Sequence, residues 1–311
     1  MFAAKDFVET REGLVFAVAD QGAEEGRVLC FLRYAASRDG WRKYSTDQAN
    51  RLLEQSYPEY LYYSRRLDAH LHAVPLRRIA RHYRPRDVLQ EILRLRKGHL
   101  VQRDLMELCR LYRNHGLEME HLGVTGSLLI GAQNDRSDID LVVYGRSNFF
   151  QARKITRGLL QSRLLQSLTD LHWQENFERR ACALTLQEYL WHERRKVNKA
   201  LINDRKFDLS LVSGNVEGVS FQYRKHGKVT LQAQVTDACQ GYDYPAVFRI
   251  DHAMAAVCVC YTATYTGQAV AGERVEISGH LERVENGPSR IVVGSSREAE
   301  GEYIKVIDGY G

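Results

Sequence analysis

The sequence has little proline, no long apolar run and no cysteine pair with the spacing of a zinc ribbon. Only 5 of its 311 residues are proline, and its apolar and charged fractions are those of a globular protein, which argues against long disordered linkers. No run reaches the roughly 18 consecutive apolar residues that a membrane span requires, and the N-terminal MFAAKDFVETREG lacks the apolar core of a signal peptide. We therefore expect a cytoplasmic protein without a membrane partner.

The 6 cysteines are spread along the chain, which argues against a disulfide framework. Cys258 and Cys260 would share one face of a strand, where they could form half of a metal site with His252. Two small residues packed inside a sheet explain the same pattern and are the favoured interpretation.

Positive charge is concentrated in the first two-thirds of the chain. Residues 41–100 hold 13 Lys or Arg and 6 Asp or Glu, and residues 146–206 hold the same numbers, so each segment carries +7. Residues 215–311 hold 9 and 12, which is −3. An anionic polymer would therefore bind the first two-thirds.

Length and changes of pattern divide the chain into three predicted domains, because 311 residues are too many for one ordinary core. Residues 1–86 combine a β-hairpin with a capped helix and are rich in Tyr and Arg. Residues 87–214 alternate helices and strands, and residues 215–311 show short strands with Gly-rich turns. We predict an α+β fold with an N-terminal α+β domain and a C-terminal small β-barrel of OB-like pattern.

The stretch GVTGSLLIGAQNDRSDIDLVVYG, residues 123–145, carries the strongest chemical signal. Its second half is an apolar, β-branched run, which predicts a short buried strand with Asp138 and Asp140 on the same side. Two carboxylates held this close repel each other, and one stays protonated unless a cation compensates them. The pair indicates a metal site, with a turn or cap role as the alternative for Asp138.

Three features together resemble the signature of the DNA polymerase β-like nucleotidyltransferase superfamily. They are Gly126-Ser127, an Asp-x-Asp at 138–140 leading into an apolar strand, and Asp208 inside the later strand KFDLSLV. The resemblance covers residues 90–214 and leaves the outer domains unexplained. It implies a polymerase β-like core within the predicted central domain.

The resemblance implies metal-dependent transfer of a nucleoside monophosphate from a nucleoside triphosphate to a hydroxyl. Asp138 and Asp140 would bridge two Mg²⁺ or Mn²⁺ ions, and Asp208 would complete the ion nearer the attacking hydroxyl. The alternative for Asp208 is a buried acid paired with an arginine.

Phosphate-binding roles are predicted for two groups of residues. Gly126 permits close backbone approach, and the hydroxyl of Ser127 could hold the β- and γ-phosphates, although a plain turn explains both. Arg195, Lys196 and Lys199, on a helix predicted over LTLQEYLWHERRKVNKALI, could neutralise the triphosphate. A solvated helix face is the alternative for each of them.

The acceptor is predicted from the Tyr- and Arg-rich stretch that contains Arg77, Arg78 and Arg81, on a helix predicted to begin at Pro75. Such a mixture binds a phosphate backbone and stacks unpaired bases, so RNA is the favoured partner. Buried tyrosines next to surface arginines would give the same sequence pattern without any RNA binding. Transfer to a small molecule or a protein side chain, and a non-catalytic binding module, are the alternative functions.

Overall fold

The computed structural model describes residues 2–214, 222–285, 287–296 and 299–309. Within these ranges the protein is mixed α/β, with six α-helices and three sheets. None of the helices described combines the length and hydrophobicity needed to cross a bilayer. Residues 215 and 311, the predicted ends of the C-terminal domain, lie outside the described residues.

The chain forms two compact units. The first unit consists of Met1–Ser64, His70–Ser167 and Asn198–Gly214. The second unit consists of Arg65–Ala69, Leu168–Val197 and Asn215–Gly311. Each predicted domain contains one of the three sheets, and the division into three domains stays a prediction.

The first sheet is N-terminal, with the order β5-β6-β3-β2-β1-β7 and β4 paired to β3. Its strands are β1 (Phe7–Thr10), β2 (Leu14–Val18), β3 (Arg27–Ser37), β4 (Gly40–Lys43), β5 (Leu61–Ser64), β6 (Ala69–Pro75) and β7 (Ile79–Tyr83), and helix α1 (Thr46–Ser56) lies between β4 and β5 in the chain. The predicted hairpin is confirmed, because β2 and β3 pair antiparallel. The predicted capping box is also confirmed, because Ser45 and Gln48 bond each other reciprocally at the start of α1.

The helix predicted from Pro75 is wrong. Leu76–Arg78 form one 3-10 turn, and the following residues form β7, which pairs antiparallel with β1 through Tyr83 and Phe7. A helix would have left the backbone groups of β1 unpaired on that edge, so long-range pairing outweighs the local helical pattern.

The second sheet lies in the central part of the first unit and has the order β10-β11-β9-β8. The elements of this part are α2 (Pro85–Leu93), α3 (Leu100–Asn114), β8 (Leu122–Thr125), β9 (Ile139–Tyr144), α4 (Arg146–Gln161), β10 (Lys199–Ile202) and β11 (Arg205–Val212). Strands β9 and β11 are parallel, whereas β8 and β10 pair antiparallel with their neighbours. The strands predicted at 138–144 and 207–212 are confirmed, except that β9 begins at Ile139, so Asp138 lies just before the strand.

The N-terminal sheet packs on the segment that follows β8. Phe7, Tyr34 and Tyr83 form one buried cluster with Leu129 and Ile130. This contact brings the N-terminal sheet against the turn that contains the Gly-Ser pair, and both belong to the first unit.

The second unit contains two helices and the third sheet. Its elements are α5 (Asp170–Arg180), α6 (Leu186–Lys196), β12 (Arg224–Gln240), β13 (Ala246–Asp251), β14 (Val257–Cys260), β15 (Arg274–Arg283), β16 (Ser289–Val293) and β17 (Tyr303–Val306). The strand order is β12-β13-β14-β16-β15-β17, and β12 also pairs with β15. The path β12-β13-β14-β16-β15 therefore returns to its first strand, with β14 and β16 as its parallel pair.

The helix predicted over residues 184–202 ends earlier than expected. The last residue of α6 is Lys196, and Val197 adopts a left-handed conformation with φ +49°. Lys199 therefore lies on β10, not on the helix.

Candidate active site

Four side chains form a row across the second sheet. Asp140 on β9 is the register partner of Asp208 on the parallel strand β11. Thr125 on β8 pairs with Asp140 on its other side, and Lys199 on β10 pairs with Asp208. Register partners on neighbouring strands face the same side of a sheet. The structure therefore brings two predicted catalytic carboxylates together, with a predicted phosphate-binding lysine beside them.

Alternation along the strands places this row on the more open face of the sheet. On β11, Phe207 and Leu209 are buried while Asp208 between them is half-buried. On β9, Ile139 and Leu141 are buried and flank the half-buried Asp140. The apolar positions anchor each strand, and the carboxylates are left on the opposite side.

Gly126 lies directly under the Asp140 carboxylate. It has φ +68°, and a Cβ atom built on it would overlap Asp140 Oδ2. A glycine is therefore required here for both backbone conformation and space. Ser127 follows in the 3-10 turn Gly126–Ile130 and is half-buried, next to the carboxylate row in sequence.

Burial raises the pKa of Asp140 from its usual 3.8 to about 6, and the negative charges of Asp208 and Asp138 contribute to the rise. Lys5 and Lys43, both from the N-terminal sheet region, act in the opposite direction. The mutual repulsion predicted for the Asp138–Asp140 pair thus extends to Asp208.

Two lysines lie against the outer carboxylates. Lys206 Nζ is 3.0 Å from Asp138 Oδ2, and Lys199 Nζ is 3.6 Å from Asp208 Oδ1. The second distance is longer than a hydrogen bond, and the buried Asp208 Oδ1 accepts no hydrogen bond within the described part of the chain. A buried carboxylate oxygen without a donor is one that a cation would satisfy.

The three aspartates fit a hard divalent cation by their chemistry. They offer oxygen ligands only, two of them are register partners, and one buried oxygen lacks a donor. Their ligand atoms are more widely spaced than those of Glu118, Glu120 and His121, the one group among the described residues with three such atoms within 4.8 Å of one another. That group is largely exposed, lies before β8 and was not predicted from the sequence.

Two predicted phosphate-binding residues lie in the second unit and are bound there. Arg195 contacts Glu273 at 2.5 Å and stacks over the Trp191 ring. Lys196 is 2% exposed, and its ammonium donates to Glu193 at 2.5 Å and to the carbonyl of Thr264 at 2.8 Å. In this conformation the Lys196 ammonium is not accessible to a triphosphate.

The predicted RNA-binding arginines lie at the N-terminal sheet, where two of them already have partners. Arg77 is exposed, Arg78 contacts Glu12 and Glu59 at 2.9 Å each, and Arg81 stacks 4.4 Å from the Tyr83 ring centre. Tyr83 itself is 6% exposed, and Tyr60 of the same stretch is fully buried. These two tyrosines belong to the core and are not available to stack on bases.

Sequence reasoning missed three lysines near the carboxylates. Lys206 could have been found, because it lies two residues before Asp208 and therefore on the same side of the strand. Lys5 and Lys43 carry no local signal, because only packing of the N-terminal sheet brings them near Asp140.

Comparison with known proteins reveals a relationship over the full chain. Uncharacterized protein MJ1086 of Methanocaldococcus jannaschii is 31% identical over 338 aligned positions, which cover 97% of this chain and 98% of the relative. The chain belongs to the same family as this archaeal protein. No protein-family profile matches the chain, and no solved structure matches it. The relationship includes all three sheets and assigns no activity.

Proposed function

We propose that the protein is a metal-dependent nucleotidyltransferase of the polymerase β-like superfamily. The observation that carries the proposal is the register pairing of Asp140 with Asp208 on adjacent parallel strands, with Gly126 directly under the Asp140 carboxylate. These residues are far apart in sequence and were predicted from their motif to act together. Their convergence on one face of a four-stranded sheet supports the motif interpretation.

Different residues of the chain would have different roles at this site. Asp138, Asp140 and Asp208 would hold the cations, which when bound supply charge neutralisation at the transferred phosphate and at the leaving pyrophosphate. Gly126 leaves space for the Asp140 carboxylate, and the hydroxyl of Ser127 would donate to a phosphate oxygen. Because burial and the neighbouring carboxylates raise the pKa of Asp140 to about 6, this carboxylate would hold a cation less well below that pH, where it is protonated.

RNA is the proposed acceptor. The two +7 segments support it, since a basic surface attracts a polyanion. The strand path of the second unit supports the predicted OB-like block, because five strands return to their start with one parallel pair. The −3 charge of residues 215–311 and the buried tyrosines reduce the support for RNA, so transfer to a small molecule or a protein side chain remains the alternative acceptor chemistry.

A second candidate function is a binding module without catalysis. The contacts of Lys206 with Asp138 and of Lys199 with Asp208 favour it, since an ammonium group can compensate a carboxylate without a metal. Such a module would keep the fold and bind an anion through the lysines.

The test incubates the purified full chain with each radiolabelled nucleoside triphosphate, Mg²⁺ or Mn²⁺, and total cellular RNA. We expect label on RNA with the wild type and none with Asp140→Asn or Asp208→Asn. Arg249→Gln, a change on an exposed side chain of β13, serves as the control and should keep activity. Nucleotide binding without transfer to RNA, protein or small molecules would favour the binding module.

RNA binding is tested separately by its dependence on salt. Each phosphate contact lowers the logarithm of the affinity by about 0.7 to 0.9 per log unit of salt. Replacing Arg77, Arg78 and Arg81 together by Ala should flatten that dependence. An unchanged slope removes these arginines from the proposed interface, and no binding at about 50 mM salt removes RNA as the acceptor.

A further inference from the structure

A turn at the N-terminus, residues 3–6, lies against the carboxylate row. Thr125, the register partner of Asp140, donates a hydrogen bond from its hydroxyl to the carbonyl oxygen of Lys5 at 3.0 Å. Thr125 also immediately precedes Gly126. The backbone of Lys5 is therefore held beside the strand that neighbours Asp140.

The buried carboxylate of Asp6 holds this turn closed. Its Oδ2 accepts a hydrogen bond from the Ala3 amide at 3.0 Å and lies 2.7 Å from Nε2 of His82 on β7. The Asp6 amide donates back to the Ala3 carbonyl at 3.1 Å. These contacts tie the N-terminal segment to the sheet, so Lys5 has a defined position.

Lys5 has a left-handed backbone conformation with φ +79°. This conformation costs free energy in a residue that has a Cβ atom. Such strained residues are common at ligand sites, where the surrounding structure enforces the conformation. A glycine would occupy the turn without the penalty. The backbone conformation therefore does not favour a lysine at this position.

Two cations of the N-terminal region thus act at the same carboxylate. Lys5 is half-buried, and Lys43 is the exposed last residue of β4. Lys43 is the register partner of Tyr34, which packs in one cluster with Leu129 and Ile130 of the turn Gly126–Ile130. The positive charges of both lysines act on Asp140, with Lys5 the stronger. A triphosphate would bring further negative charge to a site that already holds the carboxylates of Asp138, Asp140 and Asp208, so it needs cations from the chain.

We propose that Lys5, with Lys43 as a weaker second cation, binds the phosphate oxygens of the nucleoside triphosphate, so that the N-terminal turn forms one wall of the nucleotide site. The inference rests on the proposed function. A lysine ammonium suits this role because it is a compact charge with three donors.

The test measures the affinity of the full chain for fluorescent nucleoside triphosphate analogues that carry a methylene group between the α- and β-phosphorus, with Mn²⁺ present. We expect Lys5→Gln to weaken the affinity about tenfold or more, and Lys43→Gln about threefold. Lys5→Gly should weaken binding as much as Lys5→Gln without lowering the melting temperature, because it removes the strain together with the charge. Lys5→Arg should retain most of the affinity.

Arg163→Gly is the matched control. Arg163 is exposed, follows α4 and is also a basic residue with a left-handed backbone, φ +60°. The replacement removes one positive charge and one strained left-handed residue, as Lys5→Gly does, but at a position that is distant in sequence from the N-terminal turn. It should leave nucleotide affinity unchanged.

The outcomes separate this inference from the proposed function. If the wild type binds nucleotide and Lys5→Gln binds equally well, Lys5 only neutralises Asp140 and the inference is overturned while the proposed function stands. In that case Lys5→Gln should lower the stability of the otherwise wild-type protein and leave the stability of the Asp140→Asn variant unchanged. If the wild type binds none of the analogues, both proposals are overturned.

Discussion

The two faces of β11 carry charged side chains in opposite surroundings. On one face, Arg205 donates from Nε to Asp104 Oδ2 at 2.6 Å and from one guanidinium nitrogen to the carbonyls of Asp135 and Ser137 at 2.8 Å each. Both members of the ion pair are buried. This pair ties β11 to α3 and to the segment before β9, and all of its contacts are directional hydrogen bonds.

On the other face, Asp208 lies beside a second carboxylate, Asp140, and its counter-charge among the described residues is Lys199, whose ammonium is 3.6 Å away. The two carboxylates therefore differ in their partners, because Asp104 has a bonded counter-charge while Asp208 faces a like charge. A fully bonded ion pair stabilises one structure, whereas like charges in register destabilise it and persist where a ligand compensates them. The buried acid paired with arginine, the sequence-based alternative for Asp208, describes Asp104 instead.

The largest expected effect on stability is that of Arg205→Ala. Removing the guanidinium leaves the buried Asp104 carboxylate without its counter-charge and with the hydrogen bond from Asn203, so we expect a loss of about 3 to 5 kcal/mol in the free energy of unfolding, measured with urea. Replacing both members by Leu and Met should recover much of the loss. Asp208→Asn on the opposite face should cost little. Equal costs for the two single changes would show that the two faces do not differ.

The next effect is that of Asp140→Asn, which should abolish transfer and stabilise the protein. Because the pKa of Asp140 is about 6 when folded and near 3.8 when unfolded, the folded state binds more protons between these values. Wild-type stability should therefore fall as pH rises from about 4 to 6, by an amount on the order of 2 kcal/mol. The variant should lack this fall and be more stable at pH 7. Parallel pH profiles for both proteins would contradict the assignment.

Gly126→Ala tests the contact beneath the carboxylate. The new methyl group would overlap Asp140 Oδ2, and the left-handed φ adds strain, so we expect a loss of about 2 kcal/mol and of transfer. Gly131→Ala is the matched control, because Gly131 has a similar φ of +69° and open space at its Cβ position. It should show the strain alone and keep transfer. Urea denaturation and transfer assays of the two variants measure the difference.

The smallest effect is expected for Ser127→Ala. Loss of one hydroxyl contact to phosphate should weaken triphosphate binding by about 1 kcal/mol and leave the melting temperature unchanged. Isothermal titration with a nonhydrolysable triphosphate checks the value. Unchanged affinity would show that Gly126 and Ser127 form a turn and that the Ser127 hydroxyl does not contact the phosphate.

Sequence alone determined the features that rest on short-range order. The alternation of apolar residues predicted β9 and β11, and the capping box predicted α1, because strand faces and helix starts are decided by neighbouring residues. The same alternation predicted Asp138 and Asp140 on one side of their strand, but β9 begins at Ile139 and Asp138 precedes it. The motif linked Asp208 to this pair, and the sheet register places Asp208 beside Asp140.

Only the tertiary structure decided which distant residues surround these carboxylates. Pairing with β1 made residues 79–83 a strand, and pairing with β11 placed Lys199 beside Asp208, while α6 ended before it. The packing of the N-terminal sheet brings Lys5 towards Asp140, and the position of β11 against α3 places Arg205 beside Asp104. Hydrogen-bond partners and charge neighbours that are not close in the sequence leave no local pattern, because they depend on the free energy of the whole fold.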